Sequence, residues 1–168
     1  HFIEKIEKAA KEKNRKKRKD LLRSVIIGGG PTGVELATET AELFFQTFSK
    51  YYPKSLIQDV EIFLIQKSDE LVPMFPKKIR QKARQIAQKH GIKILFNTKV
   101  TEVTATAIKT THKKYNNIIA SLPIWTAGIT PKKITPIKDF EQSKKGCIIV
   151  RPTPQTTTTT ATTTTTTT

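Results

Sequence analysis

The chain has 168 residues, one domain's length and enough to bury a core. Lys and Arg number 30 against 14 Asp and Glu, a formal charge of +16, but the lysines are scattered and no nucleic-acid-binding motif accompanies them, so no nucleic-acid partner is expected. A single cysteine, Cys147, excludes an internal disulfide and a redox-active cysteine pair within these residues, and no apolar run approaches the ~18 residues of a membrane span.

Residues 2 to 22 read as one helix. Phe2, Ile6, Ala9 and Ala10 share a face, and Glu4–Lys8 and Glu7–Lys11 stand at i,i+4. The basic run Lys13 to Lys19 has the composition of a nuclear-localisation or nucleic-acid patch, and the favoured reading is a solvated helix end or an interhelical turn. The opening His-Phe-Ile-Glu-Lys has neither Met nor an apolar signal segment, and reads as the interior of a longer chain.

Val25, Ile26 and Ile27 form a short apolar run, the mark of a strand buried on both faces. The turn follows at once: Gly28, Gly29, Gly30, Pro31, Thr32, Gly33. Its glycines fit the G-x-G-x-x-G spacing. Gly28 permits a tight turn, Gly30 clears the approach of a pyrophosphate, and Gly33 lets the next helix pack close to the strand. That helix is expected from about Thr32 to Lys50. Val34, Ala37, Ala41, Phe44, Phe48 and Tyr52 make its buried stripe, with Glu35, Glu39, Glu42 and Gln46 on a polar face. Pro53 ends it. The clustered aromatics read as packing, not as a platform for bases.

A second buried strand is expected at Val60–Ile65. Gln66 and Lys67 follow, where a dinucleotide fold reads the ribose. Pro76 suits the start of a helix over 77–90 with Ile79, Ala83, Ile86 and Ala87 inward, His90 at its end and Gly91 beyond. A third strand is expected at 92–96, then an antiparallel meander over 98–121, with His112 in a solvated turn. Leu122–Thr126 reads as a further strand weakened by Pro123, ended by Ala127 and Gly128. The fold class is α/β: a Rossmann-like doubly wound parallel sheet with an inserted β-meander. The Gly28 turn and the end of strand 60–65 should meet at one carboxyl edge. Thr156 to Thr168, threonine apart from Ala161, has no periodicity and no core-forming residue, and reads as a disordered tail.

The stretch GGGPTGVELA resembles the second glycine motif of the type II NADH dehydrogenases, flavoproteins of the pyridine-nucleotide-disulfide reductase superfamily. Phe2, Ala9 and Leu21-Leu22, the stretches SDELVPMFP and HGIKI, the phrase IWTAGI and residues 141–155 are similar to the same family. The resemblance implies four segments: a linker helix (1–23) from an FAD domain, an NAD(P)H-binding domain (24–140), a return segment (141–155) and the threonine tail (156–168). It implies hydride transfer from NAD(P)H to FAD and on to a quinone. The FAD site lies in upstream and downstream elements that this chain lacks, so the chain alone should hold no flavin.

By the same resemblance, the intact protein is a homodimer. It is peripherally attached, through a C-terminal segment, to the cytoplasmic face of a bacterial membrane or to the mitochondrial inner membrane. Gly28, Gly29, Gly30, Pro31, Thr32 and Gly33 would hold the pyrophosphate, and Ala127 and Gly128 would pass beside the nicotinamide. Glu35 matches the family's glutamate at the nicotinamide–flavin junction, a role that competes with that of a carboxylate favoured in a first helical turn. No metal ligand set is expected. Gln66 departs from the family's Glu, which accepts hydrogen bonds from the adenine ribose; it removes a charge that would repel a 2′-phosphate, and Lys67 adds a positive one beside it. Two other readings stand beside this one: the NAD(P)H domain of another two-domain flavoprotein reductase, of the apoptosis-inducing-factor or disulfide-reductase type, and a non-catalytic basic Rossmann-like binding module.

Overall fold

The computed structural model describes residues 2–129, 141–144 and 147–150. The expected threonine tail, the end of the return segment and residues 130–140 lie outside the described residues.

Four parallel strands form the central sheet: β1 (Arg23–Ile27), β2 (Glu61–Ile65), β3 (Lys93–Leu95) and β7 (Leu122–Trp125), in the order β3-β2-β1-β7. Parallel neighbours need crossovers. Helix α3 (Pro31–Glu42) lies between β1 and β2, and α5 (Lys77–Lys89) lies between β2 and β3. The antiparallel strands β4 (Val100–Val103), β5 (Ala107–Thr110) and β6 (Asn117–Ile119) lie between β3 and β7. The expected parallel sheet and meander are therefore both present.

The apolar runs of β1 and β2 are continuous because both faces are covered. Ile26, Ile62 and Leu64 join the core under the helices with Ala37, Ala41 and Phe44. Val25, Ile27, Phe63 and Ile65 point the other way, onto Ile108, Ile118 and Ala120 of the meander. Pro123 sits opposite Val25 in β7, an edge strand, where a missing N–H leaves no ladder bond unmade on the open side.

Three expectations are corrected in detail. The helix expected over 2–22 is two helices, α1 (Phe2–Lys11) and α2 (Arg15–Leu22). Asn14 divides them: its side chain accepts from Lys17 N at 3.1 Å, an N-cap that outcompetes continuation of the first helix. The long helix expected to Lys50 ends as α-helix at Glu42, then widens into a π-helical turn (Leu43–Thr47) and a 3₁₀ turn (Phe48–Lys50), and the single-turn α4 (Lys54–Ile57) follows Pro53. The aromatic residues here pack edge to face in a row, Phe2–Phe44–Phe48–Tyr52, with centroids 5.5–5.8 Å apart. His112 is not simply solvated: its Nδ1 accepts from the backbone N–H groups of Lys114 and Tyr115 at 3.2 Å and closes its turn.

Part of the basic run is internal. Asp59, with its side chain 0% exposed, accepts from Arg15 Nε at 2.9 Å and from Arg18 Nε at 2.7 Å, and so ties α2 to the turn before β2. Burial alone would raise the Asp59 pKa; the hydrogen bonds and charges of Arg15 and Arg18 outweigh it and hold the carboxyl below its ordinary value. From Gly128 a second unit begins, within which Gln142 and Ile148 form an isolated antiparallel bridge.

Asp59→Ala is expected to cost roughly 3 kcal/mol in urea unfolding, because it leaves two arginines without their buried partner. A depressed carboxyl pKa contributes stability that is complete above about pH 4 and is lost as pH falls through the depressed value. Asp59→Asn should therefore flatten the pH dependence of unfolding below about pH 4, a change visible in parallel acid titrations followed by circular dichroism.

Candidate functional site

The strand order reverses at β1: β2 and β3 lie to one side and β7 to the other. The register sets Ile27 opposite both Ile65 and Trp125, so the residues following all three strands emerge at one edge. Gly28 leaves β1 there with φ +116 and donates its N–H to Ile65 O at 2.9 Å. A Cβ on Gly28 would lie 2.9 Å from both Ala127 N and Thr126 Oγ1. Thr126 closes this side: its hydroxyl donates to Ile27 O at 2.9 Å, and its N–H bonds the same oxygen.

The remaining turn glycines differ in what surrounds them. A Cβ on Gly29 would meet Leu71 Cδ2 at 2.7 Å, and one on Gly33 would meet Gly28 O at 1.8 Å. Gly30 is the N-cap of α3, with no side-chain cap, and a Cβ there would meet nothing within 4 Å. Pro31 opens the helix, where its missing N–H costs nothing, and Thr32 is exposed. The first-turn N–H groups have no partner inside the helix, and the helix dipole adds positive potential at the same end. The residues therefore fit a pyrophosphate: the tight glycines shape the turn, and the open one leaves room in front of it.

Gln66 lies at the end of β2. Its Oε1 accepts from Gly29 N at 2.9 Å; its Nε2 donates to Ser68 Oγ at 2.7 Å and Glu70 O at 3.2 Å. Its backbone N–H donates to Leu95 O, and its carbonyl accepts from Thr98 N. The following loop is held by Val72, whose N–H donates to Gly29 O at 2.7 Å and whose φ of +43 is unusual for a β-branched residue. Glu70 pairs with Arg80. Lys67 is exposed and, with Lys99, Trp125 and Ala127, lines a cleft of about 200 Å³ beside Gly28.

Glu35 is exposed on α3, and among the described residues its carboxylate has no hydrogen-bond or ion-pair partner. It is the fifth residue of the helix, past the first turn, because α3 starts at Pro31. The competing first-turn dipole reading of Glu35 is corrected accordingly. Gly128 has φ +82 with open space about it. Sequence reasoning missed Thr126, Leu71 and Val72 as shapers of the turn. Their contacts with it span more than forty residues of chain, and no local pattern marks them.

A parallel sheet reversing order at β1, with a glycine turn leading into a helix at that edge, defines a Rossmann-type domain, the class that seats a dinucleotide at such a turn. The pyridine nucleotide-disulphide oxidoreductase family matches residues 1–160, and the chain belongs to it. The chain is 35% identical over 129 residues to the mitochondrial external alternative NAD(P)H-ubiquinone oxidoreductase B4 of Arabidopsis thaliana, covering 74% of this chain and 22% of that protein. It is 31% identical over 135 residues to the mitochondrial external alternative NADH-ubiquinone oxidoreductase of Yarrowia lipolytica, covering 77% and 23%. NDH2 of Plasmodium falciparum, solved in complex with NADH, shares the fold with a TM-score of 0.72 at 24% identity, over 78% of this chain and 27% of that one. The chain thus spans about a fifth of the length of the curated relatives it matches.

The glycine contacts make opposite predictions for neighbouring substitutions. Gly33→Ala should destabilise by ~3 kcal/mol or more, since its methyl group would overlap a backbone carbonyl. Gly30→Ala should change stability by no more than about 0.5 kcal/mol, since its φ of −75 suits alanine and the space is open. Denaturant midpoints of the two variants against the unaltered protein check both.

Proposed function

We propose that this chain is the NAD(P)H-binding portion of a flavin-dependent NAD(P)H:quinone oxidoreductase. The observation that carries the reading is the turn at Gly28–Gly33. It is tight against protein at Gly28, Gly29 and Gly33, and open at Gly30, in front of an uncapped helix start. When bound, NAD(P)H supplies a hydride and FAD accepts it. The chain's own residues do the positioning. Gly28 and Thr126 hold the end of β1, the first-turn N–H groups of α3 receive the pyrophosphate, and Ala127 flanks the nicotinamide end. Glu35, exposed and without a partner among the described residues, is the carboxylate proposed for the nicotinamide–flavin junction.

The relatives' names support two further parts of the proposal, ubiquinone as the acceptor class and a mitochondrial setting; peripheral attachment to the inner membrane is proposed from the family resemblance alone. No helix among the described residues is long and apolar enough to cross a membrane.

The ribose end favours a broad cofactor choice. A carboxylate at position 66 would repel a 2′-phosphate by up to ~4 kcal/mol at ~4 Å and an effective dielectric near 20, before solvation and salt reduce it. Gln66 carries no charge, and Lys67 stands beside it, exposed. Even about 1 kcal/mol of relief shifts relative affinity several-fold.

Calorimetric titration should show both dinucleotides binding, with NADPH no weaker than NADH beyond about threefold. Gly30→Ala should fold normally yet bind each about tenfold or more weakly, because its methyl group occupies the space in front of the turn. A protein that binds neither dinucleotide, or a Gly30→Ala variant that binds as well as the parent, would sink the proposal.

A further inference from the structure

We propose that Gln66 is a positioning residue: its carboxamide ties the glycine turn to the loop after β2, and the tie requires an amide and not merely an uncharged side chain. This rests on the dinucleotide reading above and deepens it. The donors and acceptors around the carboxamide fix its orientation. Gly29 N–H can only donate, so the atom 2.9 Å away must be the amide oxygen. The carbonyl of Glu70 can only accept, so the atom 3.2 Å from it must be the amide nitrogen. The two neighbours fix the same orientation independently. Ser68 Oγ takes the second amide hydrogen at 2.7 Å and itself donates to Glu70 O at 3.1 Å.

Both amide hydrogens and one lone pair of the amide oxygen are thus engaged within the protein. One end reaches the turn that follows β1, and the other reaches the loop that follows β2. A second link runs in parallel: Val72, in its left-handed conformation, donates to Gly29 O, and the buried Leu71 fills the space beside Gly29. Gly29 is held by both its N–H and its carbonyl. The neighbouring Gly30, where the open space begins, inherits that position.

A glutamate at 66 keeps the bond from Gly29 N–H but sets an anionic oxygen against the Glu70 carbonyl and loses both donated bonds. A methionine has similar length and neither donor nor acceptor. Gln66→Met therefore isolates the tie, and Gln66→Glu adds charge to its loss.

The test measures amide hydrogen exchange of the unliganded protein at Gly29 and at Ile26, together with calorimetric affinities for NADH and NADPH. Gln66→Met should raise exchange at Gly29 about tenfold while leaving Ile26 unchanged, which a general loss of stability would not do. The same variant should weaken NADH and NADPH by one common factor of about tenfold, with their ratio unaltered. Gln66→Glu should weaken both, NADPH further than NADH. The inference is overturned if Gln66→Met leaves Gly29 exchange and both affinities as they were. It is equally overturned if Gln66→Glu binds NADH more tightly than the parent, since the side chain would then reach the ribose instead of the turn. If the parent itself binds neither dinucleotide, the functional reading fails, and the exchange at Gly29 still decides the tie.

Discussion

The parallel pairing of β1 with β2 on one side and β7 on the other is the constraint on which the rest depends. Every residue from Ser24 to Ile27 is buried, and successive side chains feed opposite cores. A slip of one residue would exchange those cores, sending Ile26 to the meander and Val25 to the helices. The register is therefore fixed by packing on both faces. Once it is fixed, the chain leaves the sheet at Gly28, with Ile65 O and Thr126 already in place to receive it. The turn is thus held by strands that approach from both sides, one of them almost a hundred residues further along the chain.

Much of this was legible in the sequence, because it depends on local pattern. Two buried strands, the glycine turn, helix α5 with its Gly91 terminus, and the meander each carry a periodicity or a turn residue that marks them. The rest depends on competition or on distance. Asn14 breaks an amphipathic pattern that otherwise runs on, because a cap bond satisfies a helix start more directly than another turn of a highly basic segment would. Pro123 looked unfavourable until the strand order placed it at an edge. Gln66 could be read as a missing charge from sequence alone. That its amide faces inward, between Gly29 and Glu70, follows only from where two loops meet.

The charge balance has a similar division between what composition states and what folding does with it. The chain has about half as many acids as bases, and the acids at key junctions are shared. Asp59 serves Arg15 and Arg18; Glu61 serves Arg23 and Lys93. Burial works against each carboxylate, and for Glu61 the hydrogen bonds from Lys93 and Arg23 reverse that effect, as the arginines do for Asp59. These pairs fasten α2 and the start of β1 to β2 and β3, at the sheet edge opposite the glycine turn. A basic run that looks like a nucleic-acid patch is in part a structural clamp.

The glycine motif is accordingly not one feature but two overlaid. Gly28, Gly29 and Gly33 are constrained by atoms of this protein: a backbone nitrogen, a leucine methyl and a carbonyl oxygen stand where a side chain would go. Each would be demanded even if nothing ever bound. Gly30 is constrained by nothing among the described residues, and its backbone angles suit any residue. Its lack of a side chain has a physical reason only if something from outside approaches that surface closely. The ground for a ligand at this turn therefore lies in the one glycine that the fold does not need.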